Sequence, residues 1–212
     1  MYKISVTAVA LVFSLAASNL VSAAENQSKS KVYISGAAGW AIPNSIDGTD
    51  SGVAYTIDYE NGPFFSGALG YKVNKNFRIE AEASYTSVGA DSITGNGVSI
   101  DLSADIDLLS FTANAFFDIP TKSGFTPYLG GGAGIVRWDT GTITATLNGT
   151  SVSAAGDSGS DLTAFGEVGV AFSLSDNVDL VPAYRYQWFD NSTSTEDADS
   201  AHIFKLGLRI GF

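Results

Sequence analysis

The sequence predicts an all-β fold, an eight-stranded antiparallel up-and-down transmembrane β-barrel. Three observations lead to this fold class. Apolar and polar residues alternate with a period of two in eight segments of the chain, which is typical of strands with two different faces. The links between these segments alternate in length, as expected when the two rims of a barrel face different compartments. Each segment is also long enough to cross a bilayer at a tilt, which takes about 9–11 residues of strand.

The N-terminal residues have the features of a secretory signal peptide. Lys3 supplies a positive charge, an apolar stretch extends from Ile4 to about Ala17, and Val21-Ser22-Ala23 ends in the small residues that signal peptidase accepts. A permanent helical anchor is the alternative, but its apolar run would need roughly 20 residues. We therefore predict cleavage after Ala23 or Ala24, with a signal peptide at residues 1–23 and a barrel domain at residues 24–212.

The eight segments differ in how clearly their residues alternate. The clearest is Phe77–Tyr85, in which apolar residues such as Ile79 occupy one face and charged residues such as Glu80 the other. The least regular is Phe125–Trp138, because several glycines blur its two faces. In chain order, the predicted strands are Lys31–Ile42, Pro63–Val73, Phe77–Tyr85, Ile106–Ile119, Phe125–Trp138, Asp161–Leu174, Val178–Trp188 and a last strand that ends at Phe212.

Seven links join these strands. The short ones are Asn74–Asn76, Pro120–Gly124 and Ser175–Asn177, and the long ones are about Pro43–Gly62, Ser87–Asp105, Asp139–Ser160 and Asp190–Asp199. In membrane barrels the short turns face the periplasm and the long loops face the outside. We therefore expect both ends of the mature chain on the periplasmic side.

The faces of the strands distinguish a membrane barrel from a soluble one. A soluble barrel of the lipocalin type directs apolar side chains inward, whereas a membrane barrel directs them toward lipid and keeps a polar interior. Aromatic residues near strand ends favour the membrane barrel, because aromatic girdles mark the membrane interfaces. The aromatic residues assigned to these girdles are Tyr33, Trp40, Phe64, Phe65, Tyr71, Phe77, Tyr85, Phe117, Trp138 and those from Tyr184 to Phe189.

Three stretches carry a resemblance to a known family. They are Phe125–Gly134, Tyr184-Arg185-Tyr186 and the C-terminal His202–Phe212. Together with the signal peptide and the eight strands, they resemble the OmpA-like, opacity-type porin family of small outer-membrane barrels. The resemblance implies a bacterial outer-membrane location and a terminal strand that the barrel assembly machinery recognises. The residues of this assembly signal are Phe204, Leu206, Leu208, Ile210 and Phe212.

The polar faces of the strands predict a cluster of charges in the lumen. Its members are Arg78, Glu80, Glu82, Glu167, Arg185, Lys205 and Arg209. Charges in such an interior must be paired or hydrated, since an isolated ion in a low dielectric is very costly. An eight-stranded barrel is just wide enough for its side chains to fill. We expect a structural plug of ion pairs, and a gated narrow ion path is the alternative.

The four long links are acidic and contain no Lys or Arg. Charged loops are usually just solvated, and the alternative is capture of a divalent cation, because Ca²⁺ and Mg²⁺ prefer carboxylate oxygens. An acidic rim would attract cations at low salt. The acidic residues are Asp47, Asp50, Asp58, Glu60, Asp91, Asp101, Asp105, Asp139, Asp157, Asp190, Glu196, Asp197 and Asp199.

Composition excludes several kinds of function. The chain has no Cys and one His, with a net charge of −11, so thiol chemistry, disulfides and most zinc sites are excluded, and nucleic acid is not an expected partner. The single His202 has no recognisable hydrolase motif around it, and Gly130–Gly134 lacks the helix that follows a phosphate-binding loop. We expect no cofactor, no metal and no catalysis.

Three functions are compatible with these features. The first is a monomeric outer-membrane protein that contacts lipid and lipopolysaccharide and uses its four acidic loops in a structural, adhesive or host-contact role, with a host or surface ligand as partner. The surface role follows from the family resemblance alone. The second is a narrow cation-preferring pore. The third is a soluble secreted barrel that binds an apolar ligand.

Overall fold

The computed structural model describes residues 31–50, 53–95, 98–190 and 200–212. The signal peptide predicted at residues 1–23 lies outside these ranges. No helix in the described ranges is both long and apolar enough to cross a membrane. The described strands are β1 (Val32–Pro43), β2 (Ile46–Asp50), β3 (Val53–Glu60), β4 (Gly62–Lys72), β5 (Phe77–Gly95), β6 (Val98–Asp118), β7 (Phe125–Thr140), β8 (Ile143–Leu147), β9 (Thr150–Ala154), β10 (Ser158–Ser173), β11 (Val178–Phe189) and β12 (Ser200–Gly211).

Eight of the described strands close into a ring. Going round it, the order is β1, β4, β5, β6, β7, β10, β11 and β12, and every neighbouring pair is antiparallel. The ring closes where β12 pairs with β1, from Tyr33 opposite Gly211 to Pro43 opposite Ala201. Closure leaves no unpaired sheet edge within the ring, as a bilayer requires. The predicted fold class, an eight-stranded up-and-down barrel, is confirmed.

The links define two ends of the barrel. Short turns join β4 to β5, β6 to β7 and β10 to β11, and Phe212 N donates to Val32 O at the same end. We call this the short-turn end and the opposite one the long-loop end. At the long-loop end the chain is more regular than predicted, because β2, β3, β8 and β9 lie within the predicted links and β5 and β6 extend beyond Tyr85 and Ile106.

The side chains of the ring are sorted as in a membrane barrel. Large apolar residues lie exposed on the outer wall, with Leu206 54% exposed, whereas Arg185 inside is 0% exposed. Lipid would cover such an outer wall, and the interior of membrane barrels is polar. This is the opposite of the sorting that a soluble barrel around an apolar ligand requires.

Four aromatic residues assigned to the outer girdles lie on the lumen face instead: Tyr33, Phe64, Trp138 and Phe189, the last opposite the buried Thr163. Tyr33 OH donates to Glu80 Oε1 at 2.6 Å, and Trp138 Nε1 donates to Asp161 Oδ2 at 2.6 Å. Phe64 is fully buried beside Arg185. Successive residues of a strand point to opposite faces, so an aromatic residue near a strand end has an equal chance of facing the lumen. Proximity to a strand end is therefore the wrong criterion for these residues.

Candidate functional site: the lumen and the outer sheet

A network of four charged side chains crosses the middle of the lumen. Arg185 Nη1 and Nη2 donate to Glu82 Oε1 and Oε2 at 2.7 and 3.0 Å, and Arg185 Nε donates to Glu167 Oε2 at 2.9 Å. Lys205 Nζ lies 2.8 Å from the same Glu167 oxygen. The network contains two carboxylates and two cations, so it is neutral. We call it the central network.

Strand register brings the members of the central network together. Glu167 on β10 is directly opposite Arg185 on β11, while Glu82 reaches them from β5 on the other side of the ring. The Arg185 guanidinium carbon lies 3.6 Å from the centroid of the Phe165 ring, which adds a cation–π contact. A bidentate pair of this kind is directional as well as strong.

A second network lies nearer the short-turn end. Arg78 Nε donates to Asp118 Oδ1 at 3.0 Å, and Arg78 Nη1 contacts Glu80 Oε1 and donates to Tyr33 OH at 3.3 Å. Arg209 Nη1 lies 3.8 Å from Asp179 Oδ2 at the same end. Sequence reasoning did not assign Tyr33 or Asp118 to the lumen cluster. The signal that could have found Asp118 is its place in the alternating pattern of β6. It lies on the same face as the lumen-facing Thr112 and Asn114.

All seven residues of the predicted lumen cluster point into the barrel. They form the two groups just described rather than one, and aromatic rings separate the groups: Tyr128 OH donates to Glu167 Oε1 at 2.9 Å, while its ring lies 4.5 Å from the Arg78 guanidinium carbon. A space of about 40 Å³ remains among these side chains. That volume holds a few water molecules.

The residues of the predicted assembly signal lie on the outer wall of β12. Phe204, Leu206 and Leu208 are exposed there, and Ile210 is partly covered. Phe212 follows the end of β12 and is held to β1 by one backbone hydrogen bond to Val32. The apolar residues that alternate along this strand therefore face outward, where lipid or an assembly factor would contact them.

The outer wall changes polarity part of the way along β6. Toward the short-turn end, its outward residues are apolar, from Leu109 to Phe117. Toward the long-loop end, the outward positions carry Asp101, Ser103, Asp105 and Asp107. The same change separates Ile135 from Asp139 on β7. A strand that leaves lipid and enters water would show this reversal, so it marks the outer boundary of the lipid-facing band.

Beyond this boundary the strands continue as a second structure, which we call the outer sheet. It consists of β2, β3, residues 88–95 of β5, residues 98–107 of β6, β8 and β9, paired in that order. The outer sheet is continuous with the barrel because β5 and β6 belong to both. Residues predicted to lie in loops are therefore part of a hydrogen-bonded sheet.

The outer sheet has one apolar and one polar face. The apolar face contains a row in which Ile46, Ile57, Ile93 and Ile100 lie opposite one another on successive strands. A second apolar row contains Leu102, Ala145 and Val152. The polar face contains the row Asp58, Ser92, Asp101, Thr146 and Ser151. The outer sheet therefore presents two chemically different surfaces.

Negative charge dominates the long-loop end. Of the cations in the described ranges, Arg137 alone lies on the outer wall near this end, directly opposite Leu109 and Ser160 at the polarity boundary. The predicted acidic residues Glu196, Asp197 and Asp199 lie outside the described residues. Among those described, no group of three or more His, Asp or Glu side chains is arranged to hold a metal ion.

His202 and Ser200 lie close together on the outer wall but make separate contacts. Tyr184 OH lies 2.7 Å from His202 Nδ1, and Ser200 Oγ accepts hydrogen bonds from Asn44 Nδ2 at 2.8 Å and Tyr186 OH at 2.9 Å. In a catalytic pair the histidine would accept the proton of the serine hydroxyl. These contacts instead form an aromatic and polar cluster of the kind that membrane interfaces favour.

Comparisons with known proteins agree with this architecture. Residues 6–212 match the family described as the outer membrane protein beta-barrel domain. The outer membrane protein PagN of Salmonella typhimurium is 25% identical, and the match covers 87% of this chain and 91% of PagN. Neisserial surface protein A has a TM-score of 0.56 at 22% identity, covering 86% of this chain and 98% of the other.

OprG, an outer membrane protein of Pseudomonas aeruginosa, also has a TM-score of 0.56, at 17% identity, covering 86% of this chain and 96% of OprG. At these identities the two solved structures show a common fold. The family match extends over nearly the whole chain and includes all eight strands of the ring. The chain therefore belongs to the outer membrane protein β-barrel family of the bacterial outer membrane.

Proposed function

We propose that this protein is a closed outer-membrane barrel that conducts no ions and displays the outer sheet for contact with macromolecules outside the cell. The observation that carries the proposal is the division of the molecule into two parts. The lumen is filled by paired charges, and the same strands continue beyond the lipid-facing band as a two-faced sheet. The role is structural or adhesive, with a surface or host ligand as partner and no catalytic step.

The central network supports the closed state. Its four charged groups are nearly inaccessible and are held by a bidentate pair across the barrel. Moving one of them aside would leave buried charges with fewer partners of opposite sign, which is strongly unfavourable. The narrow cation-preferring pore remains the competing function, and the acidity of the long-loop end is the observation that favours it.

Planar bilayer recordings distinguish these two functions. Purified, folded protein should give no discrete conductance steps in salt solution, whether inserted singly or in many copies. Reproducible cation-selective steps that disappear when the protein is heat-denatured before insertion would overturn the closed-barrel proposal.

Adherence measurements test the contact function. Cells of a laboratory strain producing the wild-type protein should adhere to cultured epithelial cells more than cells producing a variant in which β2–β3 and β8–β9 are replaced by tight turns. Heat modifiability on gels would show that both proteins are folded in the outer membrane. Equal adherence at equal surface amounts would reject the contact function.

The same proposal assigns the remaining partners. The outer wall contacts outer-membrane lipid and lipopolysaccharide, and Arg137 at the polarity boundary is placed where phosphate groups of headgroups would lie. The alternating terminal strand serves as the signal for the barrel assembly machinery. The closed ring satisfies its own backbone and needs no second subunit, so we propose a monomer.

A further inference from the structure

β9 is an open edge of the outer sheet. Within the described parts of the chain it pairs with β8 on one side and with no strand on the other. All five of its residues are exposed, and the segment Thr150–Ala154 contains neither a charge nor a proline. Exposed edges are usually blocked by charge, proline or a bulge, because an open edge is a template for another strand.

The hairpin geometry identifies the backbone groups of this edge. Asn148 and Gly149 form a two-residue turn with φ of 50° and 79° between β8 and β9, as in a type I′ hairpin. The pair next to such a turn, Leu147 and Thr150, exchanges hydrogen bonds, and bonded pairs then alternate along an antiparallel ladder. The N–H and C=O groups of Ser151 and Ser153 consequently point away from β8, toward the open side.

An apolar depression lies beside the same edge. It has a volume of about 430 Å³ and is lined by Ile100, Ala145, Leu147, Asn148, Thr150 and Val152. Val152 is 70% exposed within it. Exposed apolar surface next to a polar rim is typical of sites that bind other molecules.

The opposite face of β9 is polar and merges with the acidic face of the outer sheet. Ser151 Oγ lies 2.8 Å from Thr146 Oγ1, and Thr146 is opposite Asp101 in the next strand. The described residues of the outer sheet include several Asp, one Glu (Glu60) and no Lys or Arg. A partner that matches both faces therefore needs apolar side chains on one face and cationic ones on the other. A second copy of this chain would bring like charges together.

We propose that β9 binds an extended segment of another protein, in which apolar residues alternate with Lys or Arg, as an additional strand of the outer sheet. This inference rests on the proposed contact function and specifies the chemistry of the partner. Backbone bonds to Ser151 and Ser153 hold the segment, its apolar side chains enter the depression, and its cations lie over the acidic face. Strand addition of this kind combines main-chain affinity with selection by alternate side chains.

A synthetic peptide in which Lys and Val alternate is the probe, titrated against the folded full chain in lipid nanodiscs by fluorescence anisotropy. A peptide of the same composition, with all Lys in one half and all Val in the other, tests whether alternation matters. We expect the segregated peptide to bind at least about tenfold more weakly, since it cannot satisfy both faces and the backbone together. Equal binding of both peptides would mean unspecific attraction of charge and would overturn the proposal.

Ser153→Pro tests the edge itself. Proline removes an N–H that points to the open side and is tolerated at edge strands, whereas the matched variant Ser153→Ala removes only the hydroxyl. We expect about tenfold weaker binding of the alternating peptide to Ser153→Pro and a change within about twofold for Ser153→Ala. Equal affinities of the two variants would overturn the proposal.

Hydrogen exchange of the wild-type protein gives a reading that does not depend on any variant. The amides of Ser151 and Ser153 should exchange more slowly when the alternating peptide is bound, and unchanged exchange would overturn the proposal. If these amides are already protected without peptide, and the protection disappears when the protein is diluted to a monomer, a second copy of the chain occupies the edge. That result would also overturn the proposal. Adherence that is lost with both loop hairpins but unaffected by Ser153→Pro would reject this inference and leave the contact function standing.

Discussion

Arg185 and Glu82 lie on opposite walls of the barrel and form a bidentate ion pair across it, with N···O distances of 2.7 and 3.0 Å. The two residues are separated by 103 positions in the sequence. Because both side chains are buried, each depends on the other and on Glu167 and Lys205 for its polar contacts. The pair therefore links β5 to β11 through the lumen, independently of the hydrogen bonds between neighbouring strands.

Replacing Arg185 with Met should destabilise the barrel strongly. The variant leaves Glu82 and Glu167 with Lys205 as their only described cation, and loss of one partner from a buried ion pair costs about 3–5 kcal/mol. Urea unfolding of protein refolded into lipid vesicles measures this change. Lys122→Met removes a positive charge from an exposed turn and serves as the control. If both variants unfold at the same urea concentration, the central network does not stabilise the barrel.

Gly134→Ala should weaken the pairing of β7 with β6. A Cβ atom at this position would lie 1.9 Å from the Phe111 carbonyl oxygen, whereas Gly124 in the turn before β7 has no heavy atom within 4 Å of such a Cβ. Overpacking at a tight contact costs about 1–3 kcal/mol, and we expect Gly124→Ala to change the free energy of unfolding by less than about 0.5 kcal/mol. Equal stability of the two variants would contradict close strand packing as the reason for the glycine-rich segment.

Deleting Phe212 should reduce the amount of folded protein in the outer membrane. The proposed assembly signal loses its terminal aromatic residue, while the barrel loses little packing because Phe212 is 40% exposed. Phe172→Ala is the control, since Phe172 is 43% exposed on another strand. The heat-modifiable fraction on gels measures folding. Replacing Asp101 and Asp105 by Asn should leave the heat-modifiable fraction unchanged. Normal assembly of the protein without Phe212 would reject the proposed assembly signal.

Much of the barrel could be predicted because one physical rule governs it. On Phe77–Tyr85, alternation alone distinguishes the lipid face from the lumen face, and the structure has Ile79 outside and Arg78 inside. The same rule placed Glu167, Arg185 and Lys205 inward. The wrong assignment of Tyr33 and Phe64 came from a different criterion, proximity to a strand end. Alternation puts both residues on the face opposite the apolar rows of β1 and β4.

The pairing of charges and the outer sheet could not be predicted in the same way. Which carboxylate pairs with Arg185 depends on the register of several strand pairs. The local sequence does not determine any of these registers. The strands β8 and β9 alternate Thr and Ser with apolar residues, a composition that polar loops share. Their assignment depends on pairing with the extended end of β6, a contact between distant parts of the chain.

The central claim is that apolar side chains of the ring face lipid and charged ones face a closed lumen. The absence of Cys from the chain allows single cysteines to be placed along β12 and labelled with a fluorophore that brominated lipids quench. We predict strong quenching at positions 204, 206 and 208 and weak quenching at positions 205, 207 and 209, in protein folded in vesicles. Strong quenching at the odd positions, or no alternation along the strand, would contradict the account.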